Sequence, residues 1–86
     1  MPYRIEAFPV SEKLEYLEQN DNEIYQLIWA ELNRISLYVE NFRTGSPEIL
    51  RVFAVGKYRV IYAVDHKYTL LIVLELLEMP PPSPLG

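Results

Sequence analysis

The chain has 86 residues, half of them hydrophobic, a formal charge of −4 and no cysteine. That is one domain with room for a single small core, without disulfides or thiolate metal sites. The negative balance argues against a general nucleic-acid binder.

The charge is unevenly placed. Residues 1–42 carry Arg4, Lys13 and Arg34 against eight acids, and residues 43–86 carry five basic residues against four acids. Any anion-facing surface therefore belongs to the second half, and the acids of the first half read as a solvated face. The N-terminal MPYRIEAFPV has neither a basic nor an apolar signal region. The longest apolar run, TLLIVLELLEM, carries Glu75 and Glu78 and is too short to span a bilayer. A soluble cytoplasmic protein is the expectation, with no membrane partner.

In chain order, YRIEAF (3–8) alternates weakly and reads as a short strand that Pro9 ends, because proline cannot donate to a ladder. Ser11 is a candidate cap for a helix beginning SEKLEYLEQ, with Leu14 and Leu17 as its apolar edge. NDN (20–22) is a turn cluster. A second helix is predicted over about 23–41, with Asn20 and Glu23 resembling a capping box. Ile28, Leu32, Ile35, Val39 and Phe42 form one apolar stripe at helical period. The short connection implies a helical hairpin, with Trp29 and Tyr38 packing at its core or edge.

RTGSPE (43–48) is a loop by composition. Three strands rich in Val, Ile, Phe and Tyr follow at about 49–55, 57–64 and 69–78. Gly56 punctuates the first turn and Asp65-His66-Lys67 the second, and connections this short force antiparallel neighbours. The order β-α-α-β-β-β predicts an α+β domain over residues 1–79, with helices on one face of a small twisted, mainly antiparallel sheet. Residues 80–86 read as a proline-rich tail.

In the last strand, Leu70, Ile72, Leu74 and Leu76 alternate with Leu71 and Val73, so both faces read as apolar. Helices on one side leave the other to a partner chain, to a homodimer through this strand, or to the sheet curling over itself.

Most enzyme signatures are missing: no glycine-rich phosphate loop, no cysteine nucleophile and no HExxH metal pair. His66 is the one histidine, in a predicted turn where a solvated ring is the ordinary outcome. The charged residues to weigh are Arg51, Lys57 and Arg59. Lys57 and Arg59, two apart, are expected on one strand face. A guanidinium binds phosphate through paired hydrogen bonds and stays charged, so Arg59 suits stabilising charge on a phosphate. The alternative is a cross-strand ion pair, since a three-residue connection (66–68) sets Arg59 opposite Glu75.

The stretch VGKYRVIYAVD, followed by an apolar strand, resembles the signature of the RelE/ParE toxin superfamily. That signature is a glycine turn, Tyr-Arg, an apolar pair, Tyr, a hairpin and a last strand. The helical hairpin and short first strand match in order, so the resemblance covers nearly the whole chain and is sharpest from Gly56 to Tyr62.

The resemblance implies the toxin of a type II toxin–antitoxin pair, an inhibitor of growth with no cofactor, neutralised by a cognate antitoxin. RelE-type members cleave mRNA on the ribosome, whereas ParE-type members inhibit gyrase. Arg59 matches the arginine that RelE-type members use at the scissile phosphate, so it is the candidate catalytic residue, with Lys57 and Arg51 as weaker substrate-binding help. Tyr58 and Tyr62 match aromatic positions that are largely structural.

The chain departs from the pattern at two places. Val52 and Ala54 stand where two basic residues are usual, Arg51 being one residue out of register. The arginine and tyrosine or histidine often found after the last strand are replaced by EMPPPSPLG. A member of the fold without nuclease chemistry, either a ParE-type gyrase inhibitor or an antitoxin-binding interaction protein, is the second expectation.

Overall fold

The computed structural model describes residues 2–39 and 50–80. Phe42 of the apolar stripe, the 43–48 loop and the 81–86 tail lie outside the described residues. The elements are β1 (Arg4–Glu6), a 3-10 turn (Phe8–Val10), α1 (Ser11–Asn20), α2 (Asn22–Tyr38), β2 (Leu50–Val55), β3 (Tyr58–Asp65) and β4 (Leu70–Glu78). They form an α+β domain, in the order expected. The sheet runs β1-β4-β3-β2: β4 and β2 flank β3 in antiparallel fashion, and β1 pairs parallel to β4 from Arg4 opposite Leu70 to Glu6 opposite Ile72.

The first strand is shorter than the alternation suggests. Pro9 sits in the first turn of the 3-10 segment, where its missing N–H costs nothing, and the chain runs from that turn directly into α1. Ser11 is therefore already helical and does not cap α1; Val10 holds the cap position without a side-chain bond. The second cap is also displaced by one residue. Asp21, not Asn20, accepts from the backbone N–H of Ile24. The flanking asparagines turn back instead: the Asn20 and Asn22 amides donate to the carbonyls of Tyr16 and Glu18, the second of which is among the last four carbonyls of α1, beyond the reach of its own helical N–H groups.

The apolar stripes meet the sheet as their spacing requires. Leu14 and Leu17 of α1, Ile28, Leu32 and Ile35 of α2, and Val39 beyond it are buried against Val60, Tyr62, Val64, Leu71, Val73 and Leu76. Each buried aliphatic chain contributes about 1.5–3 kcal/mol relative to exposure. Trp29 packs at the margin with its ring edge-on to Tyr25, whereas Tyr38 is exposed. Ser36 is small enough to let β1 approach α2, and its carbonyl, in the last helical turn, accepts from the N–H of Tyr3 at 3.1 Å.

Two departures from the expected register matter for function. The β3–β4 connection spans 66–69, one residue longer than expected, with Thr69 at φ 52°. A register shift between Ile61 and Tyr62 then sets Glu75 opposite Ile61 while Val73 stays opposite Tyr62, leaving Leu74 as the extra residue. A bulge of this kind reverses which side later residues face. Leu71, Val73 and Leu76 are therefore the buried set, and Leu74 is exposed. The even alternation expected through Leu76 holds only as far as Val73.

Candidate functional site: the open face of the sheet

Both helices lie on one side of the sheet. On β3, Val60, Tyr62 and Val64 point to the helices, so Arg59, Ile61, Ala63 and Asp65 take the opposite face. Pairing places Ala54 and Leu77 on either side of Arg59, Val52 and Glu75 on either side of Ile61, and Leu50 and Ile72 on either side of Ala63. Leu70 follows beside Asp65. Leu50 and Val52 are each 60% exposed, and Leu77 is 40% exposed. No helix among the described residues covers this face.

The same shift that moves Leu74 abolishes the ion pair expected between Arg59 and Glu75. Arg59 stands opposite Leu77, because the longer connection and the bulge each add one residue. Glu75 is drawn instead to Lys13 of α1 at 3.1 Å, and Lys13 also donates to the Leu76 carbonyl at 3.0 Å. That bond lies beyond the Leu70–Ile72 stretch of β4 that β1 pairs. Arg59 keeps one bond, from Nη1 to its neighbour's carbonyl at Tyr58, 3.3 Å. Among the described residues no carboxylate lies within ion-pair distance of it.

The three cations singled out in the sequence do not converge. Lys57 is not on the strand face of Arg59. It lies in the two-residue Gly56-Lys57 turn joining Val55 to Tyr58, where Gly56 supplies the positive φ of 58° that a tight hairpin needs. Its ammonium pairs with Glu78 at 2.7 Å, which holds its pKa above the usual lysine value. Arg51 pairs with Tyr62 on the helix-covered side of the sheet. Burial pushes the Tyr62 phenol upward, with Arg51 and Arg34 acting against that and Glu31 with it. Burial likewise raises Tyr58, reinforced by Glu78. Arg34 is engaged with Glu31 one turn earlier on α2 and holds that carboxyl below its ordinary value.

The turn residues after β3 have structural work. The Asp65 carboxylate accepts from the N–H groups of Lys67 and Tyr68 at 2.9 and 3.1 Å. The His66 Nδ1 meets the Tyr3 hydroxyl at 2.8 Å, tying the turn to the chain ahead of β1. The sequence carried no signal for that pairing, since its partners lie 63 residues apart. A groove of about 390 Å³ opens elsewhere, lined by Glu12, Lys13, Tyr16, Leu17, Tyr58, Leu76 and Glu78. It lies between α1 and the sheet, and its two carboxylates suit it poorly to an anion.

Chemically, then, the open face offers one guanidinium among Ala54, Ile61 and Leu77. Apolar neighbours lower the local dielectric and strengthen a charge-assisted bond to phosphate. Asp65, the other charge on the same strand face, lies roughly 20 Å along the strand. No cluster able to hold a metal ion exists among the described residues, and no helix among them is long and apolar enough to cross a membrane.

This architecture, a helical pair on one face of a four-stranded mixed sheet, is the fold of RelE-type toxins. A chain of the RelBE2 toxin–antitoxin complex from Mycobacterium tuberculosis superposes with a TM-score of 0.64 at 20% identity, over 91% of this chain and 92% of that one. No family model and no curated protein matches the sequence.

Proposed function

We propose that the chain is the toxin of a toxin–antitoxin pair, that it inhibits translation in the manner of RelE, and that Arg59 is its phosphate contact. The observation that carries this reading is the position of Arg59 within a RelE-type fold. It stands on the uncovered sheet face, free of any carboxylate among the described residues, and flanked by apolar side chains that sharpen its hold on an anion. In ribosome-dependent mRNA cleavage the 2′-hydroxyl attacks the adjacent phosphate, and the guanidinium stabilises the charge that develops there. The structural relative comes from a toxin–antitoxin complex, and an antitoxin is the partner we assign here.

One observation favours a second reading. Val52 and Ala54 share the face with Arg59, Lys57 is paired with Glu78, and Arg51 is on the other side of the sheet. Cleavage also needs a group to move the proton, and the titratable side chain diagonal to Arg59 on this face, Glu75, is engaged with Lys13. A toxin that blocks its target by binding, without cutting RNA, fits this sparse set.

Induced expression of wild type and Arg59→Ala tests the first reading. Growth arrest by wild type and its loss in the variant are expected, with purified protein cutting mRNA on ribosomes. Arrest without cleavage supports the binding reading, and arrest that survives Arg59→Ala overturns the phosphate role.

A further inference from the structure

The open face is complementary to itself. Along β3 it reads Arg59, Ile61, Ala63, Asp65: a cation at one end, a carboxylate at the other, and apolar side chains between. Lay a second copy on it with its strands running the opposite way, related by a two-fold axis in the plane between the sheets. Each strand then covers its own copy in reverse. Arg59 falls over Asp65 of the second molecule and Asp65 over its Arg59. Ile61 falls over Ala63, Val52 over Leu50, and Leu77 over Leu70, by the row order that the pairing sets. Glu75, beside Ile61 on β4, falls over Ile72 of the second molecule and carries its own counter-charge there, the Lys13 ammonium at 3.1 Å. Strands stacked in the same direction would instead set Arg59 against Arg59. The contact is isologous, as two-fold dimers require, and the aligned stacking of sheets supplies the geometry.

We propose that this face pairs two copies of the chain, by antiparallel stacking of the open sheets, with two reciprocal Arg59–Asp65 ion pairs closing an apolar centre. The Asp65 oxygen that accepts from the turn is Oδ1, which leaves Oδ2 for the guanidinium. Three strands spaced about 4.8 Å apart and about 20 Å long give a footprint on the order of 300 Å² per copy. That is small for a protein interface, so association is weak and concentration-dependent. The dimer buries Arg59. That it thereby closes the phosphate contact rests on the toxin reading above, whereas the self-association does not.

Sedimentation equilibrium of the full chain across a concentration series tests the stacking. Wild type is expected to shift from monomer to dimer with concentration. Arg59→Asp faces Asp65 with a second carboxylate and weakens dimerisation by at least about tenfold. Asp65→Asn keeps the turn acceptor, removes the charge, and weakens it by a smaller factor. The decisive measurement mixes Arg59→Asp with Asp65→Arg, each verified as folded by circular dichroism. Each is monomeric alone, and together they form a heterodimer carrying both ion pairs. If wild type is monomeric throughout, or if the mixed variants fail to associate while wild type dimerises, the proposal is overturned and the face belongs to another partner. Growth arrest is read separately, so failure of the toxin reading leaves this result intact.

Discussion

The two faces of one sheet teach different lessons. The helix-covered face is built from Val60, Tyr62, Val64, Leu71, Val73 and Leu76, all at most 6% exposed. The open face shares the aliphatic residues but adds Arg59, Asp65 and Glu75, and its Leu50 and Val52 remain 60% exposed. For those aliphatic side chains the difference is company: α1 and α2 bring two apolar stripes to one side only. Residues on the covered face stabilise the fold, while those on the other side are available for recognition.

The largest expected effect breaks the covered face. Leu71→Ala leaves a cavity beneath the helices and should cost about 2–5 kcal/mol in chemical denaturation, whereas Val52→Ala on the open side should stay within about 0.5 kcal/mol. Equal costs would mean that the two faces are equally packed. At the hairpin that orients Arg59, Gly56→Ala adds a Cβ 3.2 Å from Ile24 Cδ1 at a φ of +58°. It should cost about 1–2 kcal/mol, measured as a lower thermal midpoint.

Tyr62 sharpens the comparison through pH. Its pKa is raised by burial, so its stabilising contribution is complete below the ordinary tyrosine pKa of 10.0 and is lost as pH climbs through the raised folded value. Alkaline melting should therefore be less steep in Tyr62→Phe than in wild type, and one of the delayed phases of phenolate absorbance should disappear with it, the one from Tyr58 remaining. At the small end, Lys13→Ala removes the exposed pair with Glu75 and the bond to the Leu76 carbonyl. Less than about 1 kcal/mol is expected by denaturation. Freed from Lys13, Glu75 should also weaken any stacking of the open face, which sedimentation would register.

Much of the architecture was legible because it depends on local periodicity. The stripe of Ile28, Leu32, Ile35 and Val39 marks a buried helix face at any position in a fold, and alternation with a tight glycine turn marks the β2–β3 hairpin. The candidate site was less legible. Arg59 stood out as a charge within an apolar run, but whether it met Glu75 turned on two single-residue events, Thr69 in the longer turn and Leu74 in the bulge. Each shifts pairing by one, and together they carry Glu75 two places past Arg59. The misplacement of Lys57 has the same origin, since a two-residue turn and a continuing strand differ by little in sequence.

The sequence by itself determined the order of elements, the helix faces and the strands, because those follow from spacing within one segment. Only the tertiary structure decided that β1 joins β4 in parallel, that Lys13 claims Glu75, and that Lys57 leaves the strand face of Arg59 for the hairpin turn. Those outcomes depend on register between segments distant in the chain, where a one-residue slip reverses every side chain that follows.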